Sequence, residues 1–319
     1  MSAPPPTAPH PTDRVVTIVG AGLMGIGIAE VFAAAGLTVR LCDPEPKARL
    51  SVPDRLATAC AAAGVEPGAV AARVTVFDST AEACQSASVV IEAGPESSAI
   101  KRAILAEVEA AVPARTLLAT NTSSIPVGEL ASALERPGRF VGAHFWQPPY
   151  LVPLVEVVRG PRSDPSAMTA MIDLLGLVGL RPIRVDRDVP GVIGNRLQHA
   201  LKREAIALVS SGVATAEAVD AVVRHGFGRR LALVGPLEQA DLGGLDLTMA
   251  IHEVLMPDLD VTPAPHPLLR ALVEQGSLGA KTGRGFYDWA PGQAEQRRAE
   301  IARGLAGQAT GEPSPEGGR

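Results

Sequence analysis

The chain has 319 residues and a net charge of −5, and 46% of its residues are hydrophobic although only 3% are aromatic. This length allows one to three domains with a large core, which must be built from aliphatic side chains. The acidic balance, without a basic block, argues against nucleic acid as the main partner. No apolar run reaches the roughly 18 residues of a membrane span, so no membrane association is expected.

The N-terminus and the cysteines bear on location. Residues 1–13 have neither a basic start nor an apolar core, and they predict a disordered Pro-rich tail instead of a signal peptide. The three cysteines, Cys42, Cys60 and Cys84, have no metal-ligand spacing. Their odd number and their apolar or Ala-rich surroundings predict reduced, mostly buried thiols, a cytoplasmic protein and no metal site.

The stretch 14–43, RVVTIVGAGLMGIGIAEVFAAAGLTVRLCD, organises the rest of the chain. A β-branched run leads into the turn Gly20-Ala21-Gly22-Leu23-Met24-Gly25, and an Ala-rich helix and a second β-branched run follow. Gly20 permits a sharp turn, Gly22 lets the backbone approach a pyrophosphate, and Gly25 lets the helix pack close to the sheet. The positive end of the helix would then face the phosphates.

Asp43 ends the second of these strands. Its carboxylate is placed to accept hydrogen bonds from a ribose hydroxyl. A 2′-phosphate would meet this charge and that of Glu45, so the stretch predicts NAD, in preference to NADP, as the cofactor.

The next segments alternate between helices and strands. Residues 44–73 are Ala-rich and predict a helical excursion, and helices are also predicted at 81–85, 99–112, 126–134 and 164–178. Strands are predicted at 74–77, 88–92, 116–120, 139–145, 154–158 and 181–185, the last at a sheet edge. This alternation predicts an α/β fold with a Rossmann-type, doubly wound, mostly parallel sheet.

After Asp188 the strand-like runs stop, and helical segments at about 191–211, 215–225, 235–254 and 266–275 predict a smaller all-α domain. The expected division is a tail over 1–13, an NAD-binding domain over 14–188, an all-α substrate and dimerisation domain over 189–291, and a loose tail over 292–319. The helices have more apolar surface than one small bundle requires, which predicts a homodimer formed through this domain.

His144 and Glu156 are the first candidates for chemistry. His144 lies at the C-terminal end of a predicted strand, where doubly wound sheets bind ligands. Glu156 lies in the otherwise apolar strand LVPLVEVV, and a buried carboxylate is costly unless it is paired. A carboxylate on one ring nitrogen of His144 would leave the other free to take a proton. The alternative is a purely structural pair.

Ser123 and Asn195 are two further candidates. Ser123 follows another strand, so its hydroxyl is expected to face the same crevice and hold a substrate oxygen. Alternatively, it caps the helix that starts near Pro126. Asn195 lies in the first turns of the first helix after Asp188, where its amide would reach a domain cleft or bond locally.

Together these segments resemble the L-3-hydroxyacyl-CoA dehydrogenase family over roughly residues 14–290. The matching pieces, in family order, are GAGLMGIGIA, VVIEAGPE with Lys101, TNTSS, AHFWQPPYLVPLVEVV, PGVIGNRL, GPLEQADLGGLD and GSLGAKTGRGFYDW. The resemblance implies NAD-dependent oxidation of a 3-hydroxyl group. It implies His144 and Glu156 as the catalytic dyad, with Ser123 and Asn195 binding the substrate oxygen.

The resemblance also implies contacts to the cofactor and the substrate. It places Glu96 and Lys101 along the nicotinamide side of the cofactor. The expected cofactor-binding residues are Gly20, Gly22, Leu23, Met24, Gly25, Asp43, Glu96, Lys101 and Asn121. The expected substrate-binding residues are Ser123, Gln147, Asn195 and Arg230.

The chain departs from the family pattern in places that bear on the substrate. The family's HFFNP is HFWQP here, so Gln147 keeps an amide that is one methylene longer. The excursion after Asp43 is short and offers only Lys47, Arg49 and Arg55 for the phosphates of coenzyme A. The segments QPPY, NRLQ and RLALVGPLE resemble a branch that uses free hydroxy acids, such as gulonate dehydrogenase (lambda-crystallin) and carnitine dehydrogenase.

Three functional hypotheses follow. A 3-hydroxyacyl-CoA substrate, and with it fatty acid metabolism, is slightly favoured because the dyad region and GAKTGRGFYDW are shared with the acyl-CoA enzymes. A small free 3-hydroxy acid is favoured by Arg230, which would clamp a carboxylate in bidentate fashion. The third, a non-catalytic NAD-binding structural or sensor protein, conflicts with the intact set of Ser123, His144, Glu156 and Asn195.

Overall fold

The computed structural model describes residues 14–310, without the side chains of 308–310. The predicted disordered tail over 1–13 lies outside the described residues. The described chain divides into two compact units, one made of residues 14–195 and 300–310 and the other of 196–299. The boundary follows Asn195, a few residues beyond the predicted change at 188, because the chain stays packed on the first unit until the next helix has begun.

The first unit is built on an eight-stranded sheet with the order β3-β2-β1-β4-β5-β6-β7-β8. All neighbouring strands are parallel except β6 and β7, which are antiparallel. The predicted mostly parallel, doubly wound sheet and its edge strand β8 are therefore confirmed. The strands are β1 (Val15–Val19), β2 (Thr38–Cys42), β3 (Val74–Phe77), β4 (Val89–Glu92), β5 (Leu117–Thr120), β6 (Phe140–Phe145), β7 (Leu154–Val158) and β8 (Arg181–Val185).

The connections between strands are mostly helical. Between β2 and β3 the predicted excursion forms three helices, and the segment predicted as a helix at 126–134 is a short α-helix continued by 3₁₀ turns. The helices up to β8 are α1 (Leu23–Ala34), α2 (Pro46–Leu50), α3 (Val52–Ala63), α4 (Pro67–Ala71), α5 (Thr80–Cys84), α6 (Ser98–Ala111), α7 (Val127–Leu130) and α8 (Pro165–Leu177).

The core lies on both faces of the sheet. Ile18 belongs to a large aliphatic cluster with side chains of α1 and α8, whereas its neighbour Val19 belongs to a second cluster with side chains of α6. Successive residues of a strand point to opposite faces, so these clusters cover the two sides of the sheet. This arrangement leaves the carboxyl ends of the parallel strands free to carry a site.

The remaining helices are α9 (Gly194–Ser210), α10 (Ala216–His225), α11 (Gly228–Leu231), α12 (Pro236–Gly243), α13 (Leu245–Leu255), α14 (Pro267–Glu274) and α15 (Gln293–Thr310). The segment predicted as one helix at 235–254 is two, because Gly244 adopts a φ of 95° that ends an α-helix. Large apolar side chains of the second unit are widely exposed, and Leu233 and Leu237 are 87% and 82% accessible.

The prediction of a loose tail from residue 292 is wrong for Gln293–Thr310, which form helix α15. The segment is rich in Ala, Glu, Gln and Arg, all strong helix formers. Their intrinsic propensity supports a helix although the segment has no continuous apolar stripe.

The described residues also bear on membranes, metals and thiols. None of the helices between residues 14 and 310 has the length and apolar character needed to cross a bilayer. The same residues contain no group of three His, Cys, Asp or Glu side chains that could hold a metal ion. Cys42, Cys60 and Cys84 are buried free thiols, as predicted, and burial raises the pKa of Cys42 to about 11 and that of Cys84 to about 12.

Glu30 is a buried carboxyl group in α1. It is 2% exposed and makes no hydrogen bond or ion pair in the part of the chain that the structure describes. Burial raises its pKa from 4.5 to about 7. The folded protein therefore keeps a proton that the unfolded chain releases, and stability falls as the pH rises from about 4.5 through 7.

Replacing Glu30 by Gln should remove this dependence. At pH 8 the free energy of unfolding should rise by about 3 kcal/mol, whereas near pH 4 the variant and the wild type should be nearly equal. Urea unfolding over a pH series measures this, with Glu107→Gln on the exposed face of α6 as the control. An equal effect of Glu30→Gln at both pH values would contradict the assignment.

Candidate active site

The turn between β1 and α1 is shaped by its glycines. Gly20 has a φ of 114°, and a Cβ there would lie 2.6 Å from the carbonyl oxygen of Ala93. A Cβ on Gly25 would lie 1.8 Å from the carbonyl oxygen of Gly20, so the helix could not pack this closely with any side chain there. The structural reasons given for Gly20 and Gly25 are confirmed. A Cβ on Gly22 would meet only open space.

The first turn of α1 is suited to a phosphate group. The helix begins at Leu23, and neither its N-cap residue Gly22 nor an acidic side chain satisfies the amides of this turn. Gly22 and Leu23 are exposed and Met24 is half-buried, so the turn is accessible. It follows β1 between β2 and β4, where the strand order reverses and doubly wound sheets bind dinucleotides. The residues present therefore fit the pyrophosphate of NAD.

Asp43 follows β2 and is tied to this turn. Its Oδ2 accepts a hydrogen bond from the amide of Ala21 at 2.7 Å, and its Oδ1 accepts one from the amide of Glu45 at 2.9 Å. The carboxylate is half-buried and keeps lone pairs for a ribose hydroxyl. Asp43 therefore braces the glycine turn as well as carrying the charge expected to exclude a 2′-phosphate.

Two arginines next to this turn are engaged with the backbone. Arg49 Nη1 donates to the carbonyl oxygens of Asp43 and Pro44, at 2.8 and 2.7 Å. Arg55 Nη1 donates to the carbonyl oxygen of Ala21 at 2.7 Å. Arg55 thus holds the turn from Gly20 to Gly25, whereas Arg49 holds the backbone that follows β2.

Replacing Asp43 by Ala should narrow the preference for NAD over NADP. Loss of the charge-assisted hydrogen bonds should lower kcat/KM for NAD by ~10–100-fold, while NADP loses a repulsive neighbour. Initial rates with the two cofactors measure the ratio of kcat/KM for NAD to that for NADP. Asp43→Asn removes the charge but keeps an oxygen that can accept the hydrogen bond from the Ala21 amide, so it separates the two contributions. Equal kcat/KM values for the two cofactors in the wild type would contradict the prediction.

A buried ion pair lies after β4, at the neighbouring strand end. Lys101 Nζ is 3.0 Å from both oxygens of Glu92, and the two side chains are 1% and 0% exposed. Glu92 also accepts hydrogen bonds from Thr120 Oγ1 at 2.6 Å and from the amide of Gly94 at 2.7 Å. Lys101 donates as well to the carbonyl oxygen of Gly94 at 3.1 Å.

Glu96 connects this pair to the loop that carries Ser123. Its Oε2 is 3.5 Å from Lys101 Nζ. Its Oε1 accepts hydrogen bonds from the amides of Ser123 and Ser124, at 2.9 and 2.8 Å, and from the hydroxyls of Thr122 and Ser124. Burial alone would raise the pKa of Glu96, but these hydrogen bonds and Lys101 outweigh it and lower the pKa. The carboxylate therefore stays ionised and fixes the loop.

His144 and Glu156 are directly opposite each other in the antiparallel pair of β6 and β7. Opposite residues share a face of the sheet, and His144 Nδ1 lies 2.9 Å from Glu156 Oε2. The residues are 5% and 2% exposed. The contact between these two side chains, predicted from the sequence, is therefore present.

Glu156 is held by further donors. Its Oε1 accepts hydrogen bonds from the amides of Ile193 and Gly194, at 2.9 and 3.0 Å, and Trp146 Nε1 donates to Oε2 at 3.3 Å. Burial alone would raise the pKa of Glu156, but the hydrogen bonds from His144 and from the two amides outweigh it and lower the pKa. An ionised Glu156 orients the imidazole ring and can stabilise its protonated form.

Ser123 and His144 line one cleft of the first unit. The cleft is lined by Thr122, Ser123, Ser124, Ile125, Val127, Gly142, His144, Val158, Asp188, Val189, Gly191 and Val192. Asn195 Nδ2 donates to the carbonyl oxygen of Ser123 at 3.2 Å, which brings the predicted oxygen-binding residues together. Asn121 Oδ1 accepts from the amide of Phe145 at 2.9 Å and ties the end of β5 to that of β6.

Two predicted substrate contacts lie outside this group. Gln147 is exposed in the segment after β6, and Arg230 is exposed in α11 of the second unit. Neither side chain makes a hydrogen bond within residues 14–310. The structure also brings to the site four groups for which the sequence predicts no role: the side chains of Glu92 and Trp146 and the backbone amides of Ile193 and Gly194. Glu92 carries the same signal that identified Glu156, an acid in an otherwise apolar strand, whereas backbone amides leave no signal in a sequence.

Comparison with known proteins shows the family of this chain. The model of the 3-hydroxyacyl-CoA dehydrogenase NAD-binding domain matches residues 15–189, and that of the 3-hydroxyacyl-CoA dehydrogenase C-terminal domain matches 191–289. A 5-formyl-3-hydroxy-2-methylpyridine 4-carboxylate 5-dehydrogenase of Mesorhizobium japonicum is 34% identical over 298 residues, covering 92% of this chain and 96% of that protein. A "Probable 3-hydroxybutyryl-CoA dehydrogenase" of Bacillus subtilis is 38% identical over 284 residues, covering 86% and 97%.

A solved structure gives the same result. The crystal structure of a 5-formyl-3-hydroxy-2-methylpyridine 4-carboxylic acid 5-dehydrogenase, described as an NAD⁺-dependent dismutase, superposes with a TM-score of 0.89 at 32% identity. The match covers 94% of this chain and all of that one. The chain therefore belongs to the 3-hydroxyacyl-CoA dehydrogenase family and is an NAD-dependent oxidoreductase of the 3-hydroxyacyl-CoA and 3-hydroxy acid type.

Proposed function

We propose that this enzyme reversibly oxidises the 3-hydroxyl of a small free carboxylic acid, with His144 as general base and acid. The observation that carries the proposal is the buried 2.9 Å contact of His144 Nδ1 with Glu156, in the cleft that Ser123 also lines. His144 Nε2 accepts the hydroxyl proton in oxidation and returns it in reduction. Glu156 orients the ring and compensates its charge.

Ser123 and Asn195 hold the substrate oxygen in this proposal. Their proximity, with Asn195 Nδ2 bonded to the Ser123 carbonyl at 3.2 Å, supports a shared site. Glu96 accepts a hydrogen bond from the backbone amide of Ser123, so the backbone that carries the Ser123 hydroxyl is held in place. When bound, NAD supplies the hydride acceptor.

The cofactor is held by the turn from Gly20 to Gly25, including Leu23 and Met24, and by Asp43 on the ribose. The burial of Lys101 against Glu92 supports an indirect role, in which Lys101 shapes the nicotinamide side through Glu96 and the Gly94 carbonyl. Asn121 acts in the same way, because its amide oxygen is bonded to the backbone of β6. Glu96, 39% exposed, is the member of this group that remains accessible.

The proposal of a free acid, in preference to a CoA thioester, rests on the contacts that the positively charged side chains after β2 make. Arg49 and Arg55, two of the three cations that could contact the phosphates of coenzyme A, already donate to the backbone carbonyls of Asp43, Pro44 and Ala21. The relative from Mesorhizobium japonicum is named for a substrate that carries a free carboxylate, which supports a free acid as the substrate here. Arg230 is proposed to bind the carboxylate and Gln147 a neighbouring polar group. The acyl-CoA alternative, with fatty acid metabolism, would leave Lys47 as the main phosphate contact.

A substrate panel tests this choice. NADH formation should be fastest with a free acid from the set 3-hydroxybutyrate, gulonate and carnitine, and slow with 3-hydroxybutyryl-CoA. Arg230→Met should raise KM for the free acid by ~10–100-fold, because a charge-assisted clamp is lost. Lys47→Ala should change little. A high rate with the CoA thioester that Lys47→Ala lowers and Arg230→Met spares would reverse the assignment.

We also propose a cytoplasmic homodimer formed through the second unit. The exposure of large apolar side chains there, among them Leu233, Leu237 and Leu242, supports burial against a second copy. The buried thiols support a reducing compartment. Sedimentation equilibrium should give twice the chain mass, and Leu237→Glu should lower the association.

A further inference from the structure

Glu156 Oε2 is shared between two side-chain donors. It accepts from His144 Nδ1 at 2.9 Å and from Trp146 Nε1 at 3.3 Å. The indole N–H is a donor only and releases no proton in the range where enzymes work, whereas the imidazole ring changes its charge. The two donors therefore compete for the negative charge of one oxygen atom.

The indole ring is held in place by its surroundings. Trp146 is half-buried, and its ring centroid lies 5.8 Å from that of His144 at an interplanar angle of 57°. The ring also packs against Gly194, where a Cβ would come within 2.2 Å of Trp146 Cζ2. A glycine at this position leaves room for a bicyclic side chain, and the same glycine donates its amide to Glu156. The N–H is thus directed at the carboxylate by packing.

We propose that Trp146 is a positioning residue that, through Glu156, lowers the pH at which His144 takes up its proton. The inference rests on the proposed role of His144 as the base. A neutral donor on Oε2 weakens that oxygen as a partner for the imidazolium ion without removing the hydrogen bond that orients the ring. More of the enzyme is then ready to accept a proton at a given pH.

Other charged groups around His144 come from several elements. Glu156 faces it from β7, and Asp188, after β8, lines the same cleft but already accepts from the amides of Val127 and Gly128. Glu96 and Lys101 act from the segment after β4 on the Ser123 loop. Replacing Trp146 leaves all of these groups in place, so the indole N–H can be tested by itself.

The test is Trp146→Phe, which keeps an aromatic ring against Gly194 and deletes the N–H. The midpoint of the acid limb of kcat/KM for oxidation should move to higher pH by about 0.5–1 pH unit. The alkaline limb for reduction should move in the same direction, because the same group must then be protonated. A purely structural role would lower the rate without moving either midpoint.

Two controls separate this effect from others. Trp289→Phe removes the other tryptophan of the chain and should leave both midpoints unchanged. In a Glu156→Gln background, Trp146→Phe should no longer move the midpoints, because no carboxylate charge remains to be shared. If Trp146→Phe does not fold, benzothienylalanine incorporated in the Trp289→Phe enzyme replaces the N–H by sulfur at nearly constant shape.

The outcomes are distinct from those for the proposed function. An unchanged midpoint, a shift to lower pH, or an equal shift in the Glu156→Gln background would overturn the role of Trp146 alone. A His144→Gln enzyme with near-normal kcat would instead overturn the proposed function itself. The predicted upward shift, absent without the Glu156 carboxylate, supports both.

Discussion

Replacing His144 by Gln should lower kcat by ~10²–10⁴-fold in both directions, the usual contribution of a positioned general base and acid. Gln retains a polar group that can face Glu156 but cannot take up a proton. The turn from Gly20 to Gly25 lies at the end of β1, three positions from β6 in the sheet order, so the Kd for NADH should change little. Steady-state rates and NADH fluorescence titration measure the two quantities.

The control for this variant is His199→Gln, on an exposed face of α9, which should be indistinguishable from the wild type. Glu156→Gln should slow the reaction and shift its pH dependence, because it removes a carboxylate whose lowered pKa keeps it ionised beside His144. A His144→Gln enzyme with near-normal kcat would refute the mechanism.

Replacing Lys101 by Met should destabilise the protein by about 3–5 kcal/mol. Glu92 is fully buried, and without the ammonium group its charge would keep only the bonds from Thr120 and Gly94. The loop bearing Ser123 should loosen too, because Glu96 loses its cationic neighbour. Urea unfolding at neutral pH measures the free energy of unfolding.

The double variant Glu92→Gln/Lys101→Met supplies the matched comparison. It removes both charges while keeping a side chain that can still bond Thr120 and Gly94, so it should be clearly more stable than Lys101→Met alone. A decrease in the free energy of unfolding below about 1 kcal/mol for Lys101→Met would show that the Lys101 charge does not stabilise buried Glu92. A double variant as unstable as the single one would show the same.

Much of the first unit could be predicted because its elements carry local signals. The strands are runs of β-branched residues, and the turn from Gly20 to Gly25 requires glycine for reasons visible in its backbone. The contact between His144 and Glu156 could be predicted because it is energetically costly to bury a carboxylate in an apolar strand without a partner. The antiparallel return of β7 beside β6 puts the two residues opposite each other.

Other features depend on contacts that no local pattern encodes. In the sequence Arg49 and Arg55 resemble phosphate ligands, but in the structure they donate to backbone carbonyls. The motif that contains Lys101 predicts a contact with the cofactor. In the structure Lys101 is buried against Glu92, and this burial depends on tertiary packing. Helix α15 depends on intrinsic propensity and has no continuous apolar stripe, so hydrophobic periodicity does not predict it. The break at Gly244 is equally hard to predict, because a single glycine is often tolerated in a helix.

The most direct test of the proposed chemistry is a crystal structure of the enzyme with NADH and the 3-oxo acid that the substrate panel identifies. We expect His144 Nε2 to lie about 2.6–3.2 Å from the C3 oxygen, with the Ser123 hydroxyl or the Asn195 amide as the second partner of that oxygen. A C3 oxygen bound beyond hydrogen-bond reach of His144, with no bridging water, would contradict it.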